Sequence, residues 1–389
     1  MKKIIVLGAG MVGSAIAKEL SKKHQVTSID LDKNALDLLS GKSNIRTEIL
    51  DVTDETATAS AIKDSDLVIS AVPGYIGLQT MIQVIKQKKD LVDISFMPED
   101  VQYLDSLAKK NNVTVVMDCG IAPGMPNYIA GYHNEIMKID GIEYMVGGLP
   151  KTRTFPFEYK APFSPCDVIE EYMRPARYME NGNIVVRPAM SEPEYVHFDT
   201  IGTLEAFNTD GLRSLIYTMK QIPDIKEKTL RYPGHIKLIQ ALKSAGFFDR
   251  KPIAVNGFKV SPFDFTSRIL FNAWKPDEEE HEFTIMRIIL RGTDKGVSKE
   301  IIYELYDEFD PKEKISSMAR TTGFTATGTA EMIINKVLTE KGVFPPEMVG
   351  KNRVCFEYII NYLKARNIQF KVTERNISLP QPADLDPQD

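Results

Sequence analysis

The first 125 residues alternate short apolar segments with amphipathic ones, and this alternation restricts the fold more than any other feature. The apolar segments lie at residues 3–7, 26–30, 45–50, 67–72, 91–95 and 113–118. Each is followed by residues with helical spacing, so the pattern predicts six consecutive βα units. The first segment, KIIVL, carries a continuous apolar run, typical of a strand buried on both faces of a parallel sheet. The sequence therefore predicts an α/β fold with a doubly wound parallel sheet of the Rossmann type.

Three glycines directly follow the first predicted strand. The segment Gly8-Ala9-Gly10-Met11-Val12-Gly13 matches G-x-G-x-x-G between a strand and a helix, the context in which this pattern binds a dinucleotide. In that role Gly8 permits a tight turn, Gly10 lets the backbone approach the pyrophosphate, and Gly13 lets helix and strand pack closely. Two lysines before the apolar run also suggest a signal peptide, but three glycines interrupt its core. We therefore favour a cofactor turn.

Asp30 ends the second predicted strand, where a carboxylate accepts hydrogen bonds from ribose hydroxyls and repels a 2′-phosphate. No arginine neighbours it, although Lys33 is close, so we predict NAD rather than NADP. Because ligands bind at the carboxyl edge of such a sheet, later strand ends are expected to contact the cofactor as well. These further candidates are Asp51, Val52, Ala71, Val72, Pro73, Ile94, Ala122 and Pro123.

The composition excludes several classes of function. The net charge of −5 gives no basic surface for a nucleic acid, and no run of 18 apolar residues predicts a membrane span. Cys119, Cys166 and Cys355 are too few and too widely spaced for a disulfide framework or a zinc site. We expect a cytoplasmic protein with a small-molecule substrate and no bound metal.

The regular alternation of predicted strands and helices ends after Gly124. Apolar segments at 142–149, 183–190 and 194–199 predict a mixed sheet, and residues 316–342 contain a long helical stretch. We expect a Rossmann domain over 1–125, completed by a helical return at 322–372, and a second α+β domain over 126–321 for substrate binding and dimerisation. Tyr159, Tyr172 and Tyr178 are expected to pack in its core. The polar, proline-bearing residues 378–389 are expected to be a disordered tail.

Seven segments, taken in order, resemble the saccharopine dehydrogenase superfamily from residue 2 to about residue 350. They are AVPGYIG (71–77), VDISFMPED (92–100), MDCGIAPGMPN (117–127), VGGLP (146–150), LEAFNTDGLRSL (204–215), TLRYPGH (229–235) and MARTTGFTA (318–326). No Tyr-x-x-x-Lys motif of short-chain dehydrogenases is present. Within the superfamily the chain most resembles the L-lysine 6-dehydrogenases.

Three positions separate the chain from the fungal-type saccharopine reductases that it also resembles. Those reductases have an aspartate where this chain has Ala122, a cysteine at the position of Val146, and a tyrosine at the position of Phe96. The resemblance therefore implies NAD-dependent oxidation of the terminal amine of L-lysine to the 6-semialdehyde, which cyclises to piperideine-6-carboxylate. Saccharopine dehydrogenase and carboxynorspermidine dehydrogenase are alternatives, and a catalytically inactive NAD sensor is a hypothesis from another class.

Such a reaction needs a group that accepts a proton from the substrate ammonium, because a nitrogen without a lone pair cannot assist hydride loss. Asp93 and Asp118, at neighbouring strand ends, are the candidates. The resemblance implies that Arg213 binds the substrate carboxylate, with Arg231 as a second candidate and His235 as a further donor. Phe96 is expected to contact the substrate. The resemblance also implies a homodimer.

Overall fold

A computed structural model describes residues 1–41, 44–277 and 280–377. The strands are β1 (Lys3–Leu7), β2 (Gln25–Asp30), β3 (Ile45–Ile49), β4 (Leu67–Ser70), β5 (Asp90–Asp93), β6 (Thr114–Val116), β7 (Lys138–Pro150), β8 (Ala176–Glu180), β9 (Asn183–Arg187), β10 (Glu194–Phe198), β11 (Gly202–Asn208), β12 (Asp224–Arg231), β13 (Ile253–Val255), β14 (Phe258–Val260), β15 (Glu282–Asp294), β16 (Val297–Glu308), β17 (Gly342–Phe344) and β18 (Phe370–Asn376). The helices are α1 (Met11–Ser21), α2 (Lys33–Asp37), α3 (Glu55–Ile62), α4 (Gly74–Lys86), α5 (Asp105–Asn111), α6 (Met125–Asn134), α7 (Pro165–Met173), α8 (Leu215–Thr218), α9 (His235–Ser244), α10 (Pro262–Ala273), α11 (Ser317–Ile334), α12 (Pro346–Gly350) and α13 (Arg353–Lys364), with a 3-10 turn at Gln102–Leu104. None of the helices in the described ranges is long and apolar enough to cross a membrane. The predicted tail at 378–389 lies outside the described residues.

Within the described residues, seven parallel strands form the first sheet in the order β17-β6-β5-β4-β1-β2-β3. The last four residues of β1 are buried because the strand lies between β2 and β4 at the centre of the sheet. This arrangement confirms the predicted doubly wound parallel sheet. The strand order reverses between β1 and β4, and ligands bind at the carboxyl edge at such a point.

Nine strands of the described residues form a second, mixed sheet. Its main path runs β10-β11-β12-β7-β15-β16-β18, and β8 and β9 extend from β12. β12 pairs with β7 in parallel, whereas the long hairpin of β15 and β16 is antiparallel. This confirms the expected second domain with a mixed sheet. A separate hairpin joins β13 to β14.

The C-terminal return connects both sheets. α11 packs against α1, and α13 packs against α11. β17 adds an edge strand beside β6, whereas β18 pairs with β16 in the second sheet. The return was expected to be a helical segment over 322–372 that completes the first domain. The three residues of β17 are too few to show a strand period in the sequence, and β18 joins its sheet through pairing with a strand distant in the chain.

Candidate active site

A cavity of about 580 Å³ lies between the carboxyl edge of the first sheet and the second domain. One side is formed by the glycine turn and the strand ends that follow β2, β4 and β5. The other side comes from β7, β12, α7 and α11. The cavity therefore lies at the topological switch point, where a dinucleotide and its substrate can meet.

The glycine turn has the shape that a pyrophosphate requires. A Cβ atom at Gly8 would lie 2.4 Å from the carbonyl oxygen of Ala71, and Gly8 has a φ of +103°. A Cβ atom at Gly13 would lie 2.1 Å from the carbonyl oxygen of Gly8. A Cβ atom at Gly10, by contrast, would have no neighbouring atom within 4 Å, and Gly10 lines the cavity. The first and third glycines are needed for packing, while the second leaves open space at the start of α1.

Asp30 lines the cavity with its carboxylate fixed by two backbone groups. Its Oδ2 accepts a hydrogen bond from the N–H of Ala9 at 2.6 Å, and its Oδ1 accepts one from the N–H of Asp32 at 2.9 Å. Ala9 is buried and is not part of the cavity wall; it acts through this hydrogen bond. The carboxylate is thereby held at the position expected for ribose recognition.

Most of the other predicted cofactor residues line the same cavity. They are Met11, Val12, Val52, Ala71, Val72, Pro73, Ile94, Ala122 and Pro123. Asp51 is an exception. Its side chain is exposed, and its Oδ1 accepts hydrogen bonds from the N–H of Thr53 at 2.9 Å and the hydroxyl of Thr53 at 2.7 Å. Asp51 is not part of the cavity wall, and its contact with the cofactor stays a prediction.

Asp118 and Arg213 form a buried ion pair at the junction of the two domains. The Nε of Arg213 donates to both Asp118 oxygens, at 3.1 and 3.2 Å. The side chain of Arg213 is 4% exposed and that of Asp118 is 1% exposed. Both residues have a positive φ, +56° for Arg213 and +49° for Asp118. This backbone conformation costs of order 1–3 kcal/mol for each residue and is typical of functional sites. Burial raises the pKa of Asp118, and Arg213 opposes that rise. Asp118 lines the cavity and Arg213 supports it from behind.

Asp93 lies beside this pair but is not part of the cavity wall. It is fully buried, and both of its oxygens accept a hydrogen bond from the Ser95 hydroxyl at 2.8 Å. Burial raises the pKa of Asp93 to about 7. Its carbonyl oxygen accepts the N–H of Cys119 at 2.9 Å, which connects the two strand ends. Asp93 is therefore placed to act on the cavity through Asp118, whose charge raises the pKa of Asp93 further.

Arg231 faces the cavity from the end of β12, inside a cage of aromatic residues. Its Nε donates to the hydroxyl of Tyr172 at 2.9 Å, and its guanidinium lies 4.5 Å from the ring centre of Tyr159. One Nη2 hydrogen bond, of 3.3 Å, goes to Glu171. Tyr159 and Tyr172 therefore orient Arg231 in addition to packing in the core, as they were expected to do.

His235 does not reach the cavity wall. Its Nε2 lies 3.0 Å from the Tyr172 hydroxyl and its Nδ1 lies 2.9 Å from the carbonyl oxygen of Phe157. Burial and the charge of Arg231 lower the pKa of His235 to about 3, so the ring is neutral. The predicted direct donor to the substrate is thus a residue behind Tyr172. Phe96 does line the cavity, and the Arg213 guanidinium lies 5.5 Å from its ring centre.

Sequence reasoning missed the acidic residues of α7. Asp167 and Glu171 lie one turn apart on this helix and both line the cavity. Burial raises the pKa of Glu171 to about 7, although Arg231 opposes the rise, and burial also raises the pKa of Asp167. The helical spacing of the two acids was visible in the sequence. Which way that face points depends on how α7 packs against β12.

Comparisons with known proteins agree with this architecture. Residues 4–116 match the Saccharopine dehydrogenase NADP binding domain, and residues 120–368 match the Saccharopine dehydrogenase C-terminal domain. The crystal structure of apo saccharopine dehydrogenase (L-Glu forming) from Saccharomyces cerevisiae superimposes with a TM-score of 0.78 at 20% identity, over 97% of this chain and 100% of that one.

Two curated relatives show different extents of similarity. The alpha-aminoadipic semialdehyde synthase of Arabidopsis thaliana is 24% identical over 80% of this chain but only 31% of its own length. The carboxyaminopropylagmatine dehydrogenase of Synechocystis is 23% identical over 89% of this chain and 92% of its own. The chain thus spans about a third of the length of the alpha-aminoadipic semialdehyde synthase that it matches.

The glycine turn, the fixed Asp30 and the polar groups of the second domain surround one cavity. The fold and this site define a two-domain protein with a Rossmann-type dinucleotide-binding domain. The matches to both domains, which together extend over residues 4–116 and 120–368, identify it further. The chain belongs to the saccharopine dehydrogenase family.

Proposed function

We propose that this protein is an NAD-dependent oxidoreductase that oxidises the terminal amine of L-lysine. The product imine is hydrolysed to the 6-semialdehyde, which cyclises to piperideine-6-carboxylate. The observation that carries the proposal is the charge of the cavity wall on its substrate side. Asp118, Asp167 and Glu171 line it, and Arg231 is the only basic residue among the described residues that do.

This balance of charges favours a substrate with more amines than carboxylates. Lysine carries two ammonium groups and one carboxylate, whereas saccharopine carries three carboxylates, each of which needs cationic or N–H partners. Arg231 is already paired with Glu171, and Arg213 is paired with Asp118. Each of these pairs joins one carboxylate to one cation, so Asp167 is the further negative group of the wall, and it favours an additional ammonium group over additional carboxylates.

A polyamine-type substrate is the second candidate, because the same acidic wall can hold additional cationic groups. The similarity to carboxyaminopropylagmatine dehydrogenase along nearly its whole length supports this alternative. Carboxynorspermidine dehydrogenase chemistry, which is also expected to oxidise or form a C–N bond of a polyamine, belongs to the same candidate class.

The residues of the cavity can perform the steps that this reaction needs. Bound NAD supplies the acceptor for a hydride from the carbon that carries the amine. Asp118 and Glu171 can hold the substrate ammonium, and removal of its proton by a general base contributes about 10²- to 10⁴-fold. A pKa of about 7 lets Glu171 carry the negative charge for this contact at neutral to alkaline pH. Arg231, oriented by Tyr172, can donate to the α-carboxylate.

We propose NAD rather than NADP as the cofactor. Asp30 lines the cavity at the ribose position, and Lys33, the nearby base, is paired with Asp37 at 2.5 Å. A 2′-phosphate would meet a carboxylate there without a free arginine to neutralise it. Asp30→Asn is expected to weaken NAD binding about tenfold or more and to reduce discrimination against NADP, measured by fluorescence titration of the reduced cofactors. Glu48→Gln, which removes an exposed carboxylate on β3 outside the cavity wall, serves as the control; tighter binding of NADP than NAD by the unmodified protein would contradict the proposal.

The substrate is tested by NADH formation. Purified protein with NAD is offered L-lysine, saccharopine or a carboxyalkyl polyamine at neutral and alkaline pH. We expect NADH from L-lysine, together with a cyclic imine trapped by an aromatic amine reagent. NADH from saccharopine alone would overturn the lysine assignment, and NADH from the polyamine alone would select the second candidate. No NADH from any amine would favour an inactive NAD-binding sensor.

We further propose that the protein is a homodimer that associates through the second domain. The support for this is the family resemblance. Size-exclusion chromatography with light scattering is expected to give twice the chain mass of 43.8 kDa, and a monomer would contradict the proposal.

A further inference from the structure

A chain of hydroxyl groups leads away from the cavity into the second domain. Thr229 lines the cavity, and its Oγ1 lies 2.7 Å from the Oγ1 of Thr209. The Thr209 hydroxyl in turn donates to Oε2 of Glu227 at 2.7 Å. With Thr209 donating to Glu227, the Thr229 hydroxyl donates to Thr209, and the lone pairs of Thr229 are left for a group in the cavity.

The Glu227 carboxyl, at the end of this series of hydroxyl groups, is closely enclosed by the fold. Glu227 is buried and also accepts the N–H of Gly211 at 3.1 Å. A Cβ atom at Gly211 would lie 2.6 Å from the Glu227 carboxyl carbon, so a glycine is needed for the carboxyl to fit there. Glu227 has no role in the steps of amine oxidation described above.

We propose that Thr229, Thr209 and Glu227 form a proton relay that removes the proton released by the substrate amine. The inference rests on the proposed amine oxidation. A proton moves from the substrate nitrogen to the oxygen of Thr229, the Thr229 proton moves to Thr209, and the Thr209 proton moves to the ionised carboxylate of Glu227. Each hydroxyl gains one proton and loses one, so the charge of Glu227 changes from −1 to 0 while that of the substrate nitrogen changes from +1 to 0.

The surroundings of Glu227 suit it to exchange protons at mildly alkaline pH. Burial raises its pKa to about 8, while the Thr209 hydrogen bond opposes the rise. The titratable groups that face it are Glu171 on α7, Asp210 after β11 and Tyr144 on β7. The two acids disfavour a further negative charge, which helps Glu227 to hold the proton it receives.

Substitutions at Thr209 test the relay, because this residue does not line the cavity. Thr209→Val removes the middle hydroxyl, Thr209→Ser keeps it, and Glu227→Gln removes the acceptor. We expect Thr209→Val and Glu227→Gln to lower kcat for amine oxidation about tenfold or more, with KM changed less than about twofold. The ionisation near pH 8 should disappear from the kcat profile of both variants, and Thr209→Ser should restore it.

One control variant and the activity of the unmodified protein separate the relay from the proposed amine oxidation. Thr266→Val removes a buried hydroxyl in the same domain that donates to the Phe247 carbonyl oxygen, and it should leave kcat unchanged. Wild-type kcat and pH profile in both Thr209→Val and Glu227→Gln, with an active unmodified protein, would overturn the relay alone. Absence of amine oxidation by the unmodified protein would overturn the proposed function, and the relay with it.

Infrared titration provides a second test. The Glu227 carboxyl band should be identified by its loss in Glu227→Gln, and an unchanged midpoint of its pH titration in Thr209→Val would also overturn the relay.

Discussion

At the scale of single residues, the glycine turn separates the requirements of folding from those of binding. A side chain at Gly13 would collide with the backbone of Gly8, whereas a side chain at Gly10 would meet no protein atom within 4 Å. Both positions look alike in the sequence motif. Their different surroundings show that Gly13 is needed for packing, whereas the open space at Gly10 fits the predicted close approach of a ligand.

Alanine substitutions should distinguish these two roles. Gly13→Ala is expected to destabilise the protein by about 1–3 kcal/mol, because the backbone must shift to accommodate the methyl group. Gly10→Ala is expected to leave the melting temperature without cofactor unchanged and to weaken NAD binding at least tenfold. Thermal unfolding and NADH fluorescence titration measure the two effects. Equal loss of stability in both variants would show that Gly10 has a packing role instead.

At the scale of secondary structure, α7 supplies the acidic part of the cavity wall. The short helix begins after Ser164 with a proline at its first position and directs Asp167 and Glu171 towards the cavity. The neighbouring Glu170 is not part of the cavity wall, and its carboxylate pairs with Arg250 at 2.6 Å. One turn of helix thus provides both a candidate functional carboxylate and a matched residue outside the cavity.

Glu171→Gln should change the preference of the cavity for charge. Loss of this carboxylate leaves Arg231 without its ionic partner, so we expect KM for L-lysine to rise about tenfold and binding of saccharopine to become tighter. Because the pKa of Glu171 is about 7, the unmodified protein should bind lysine better as pH rises through 7, and the variant should lose that dependence. Steady-state kinetics across pH measure this, with Glu170→Gln as the control. An unchanged KM with both substrates would exclude Glu171 from substrate recognition.

At the scale of the whole molecule, buried acids link stability to pH. Burial raises the pKa of Glu227 and of Glu282 to about 8, and Glu282 accepts the N–H of Ser317 where α11 begins. Each carboxyl has a higher pKa in the folded protein than in the unfolded chain. Its contribution to stability is therefore complete below the unfolded value of 4.5 and is lost as pH rises through about 8.

The free energy of unfolding should fall across this window by up to about 1.4 kcal/mol per pH unit for each such group. Glu282→Gln is expected to reduce the slope because it removes one of the titrating carboxyls. Urea unfolding at several pH values measures the slope, and Glu313→Gln, at an exposed position, should leave it unchanged. A slope that is the same in Glu282→Gln and in the unmodified protein would contradict a raised pKa at this position.

The sequence alone was sufficient for the parallel sheet, the cofactor turn and the position of Asp30. These features join consecutive segments, so the strand and helix periods and the glycine spacing specify them locally. The mixed character of the second sheet also followed from its apolar segments. The family relation was recognisable because several short motifs occur in order along the chain.

Only the tertiary structure decided which side chains share the cavity. Arg213 and Asp118 pair across 95 residues of sequence, and the packing of α7 turns Glu171 towards Arg231. His235 was placed behind Tyr172 by the same packing, and Asp51 is held in a local turn with Thr53 outside the cavity wall. Periodicity assigns a residue to a face of its own element, but the partner of that face depends on contacts between segments far apart in the chain. For that reason the sequence located the cavity edge, and the packing of distant segments determined its charge.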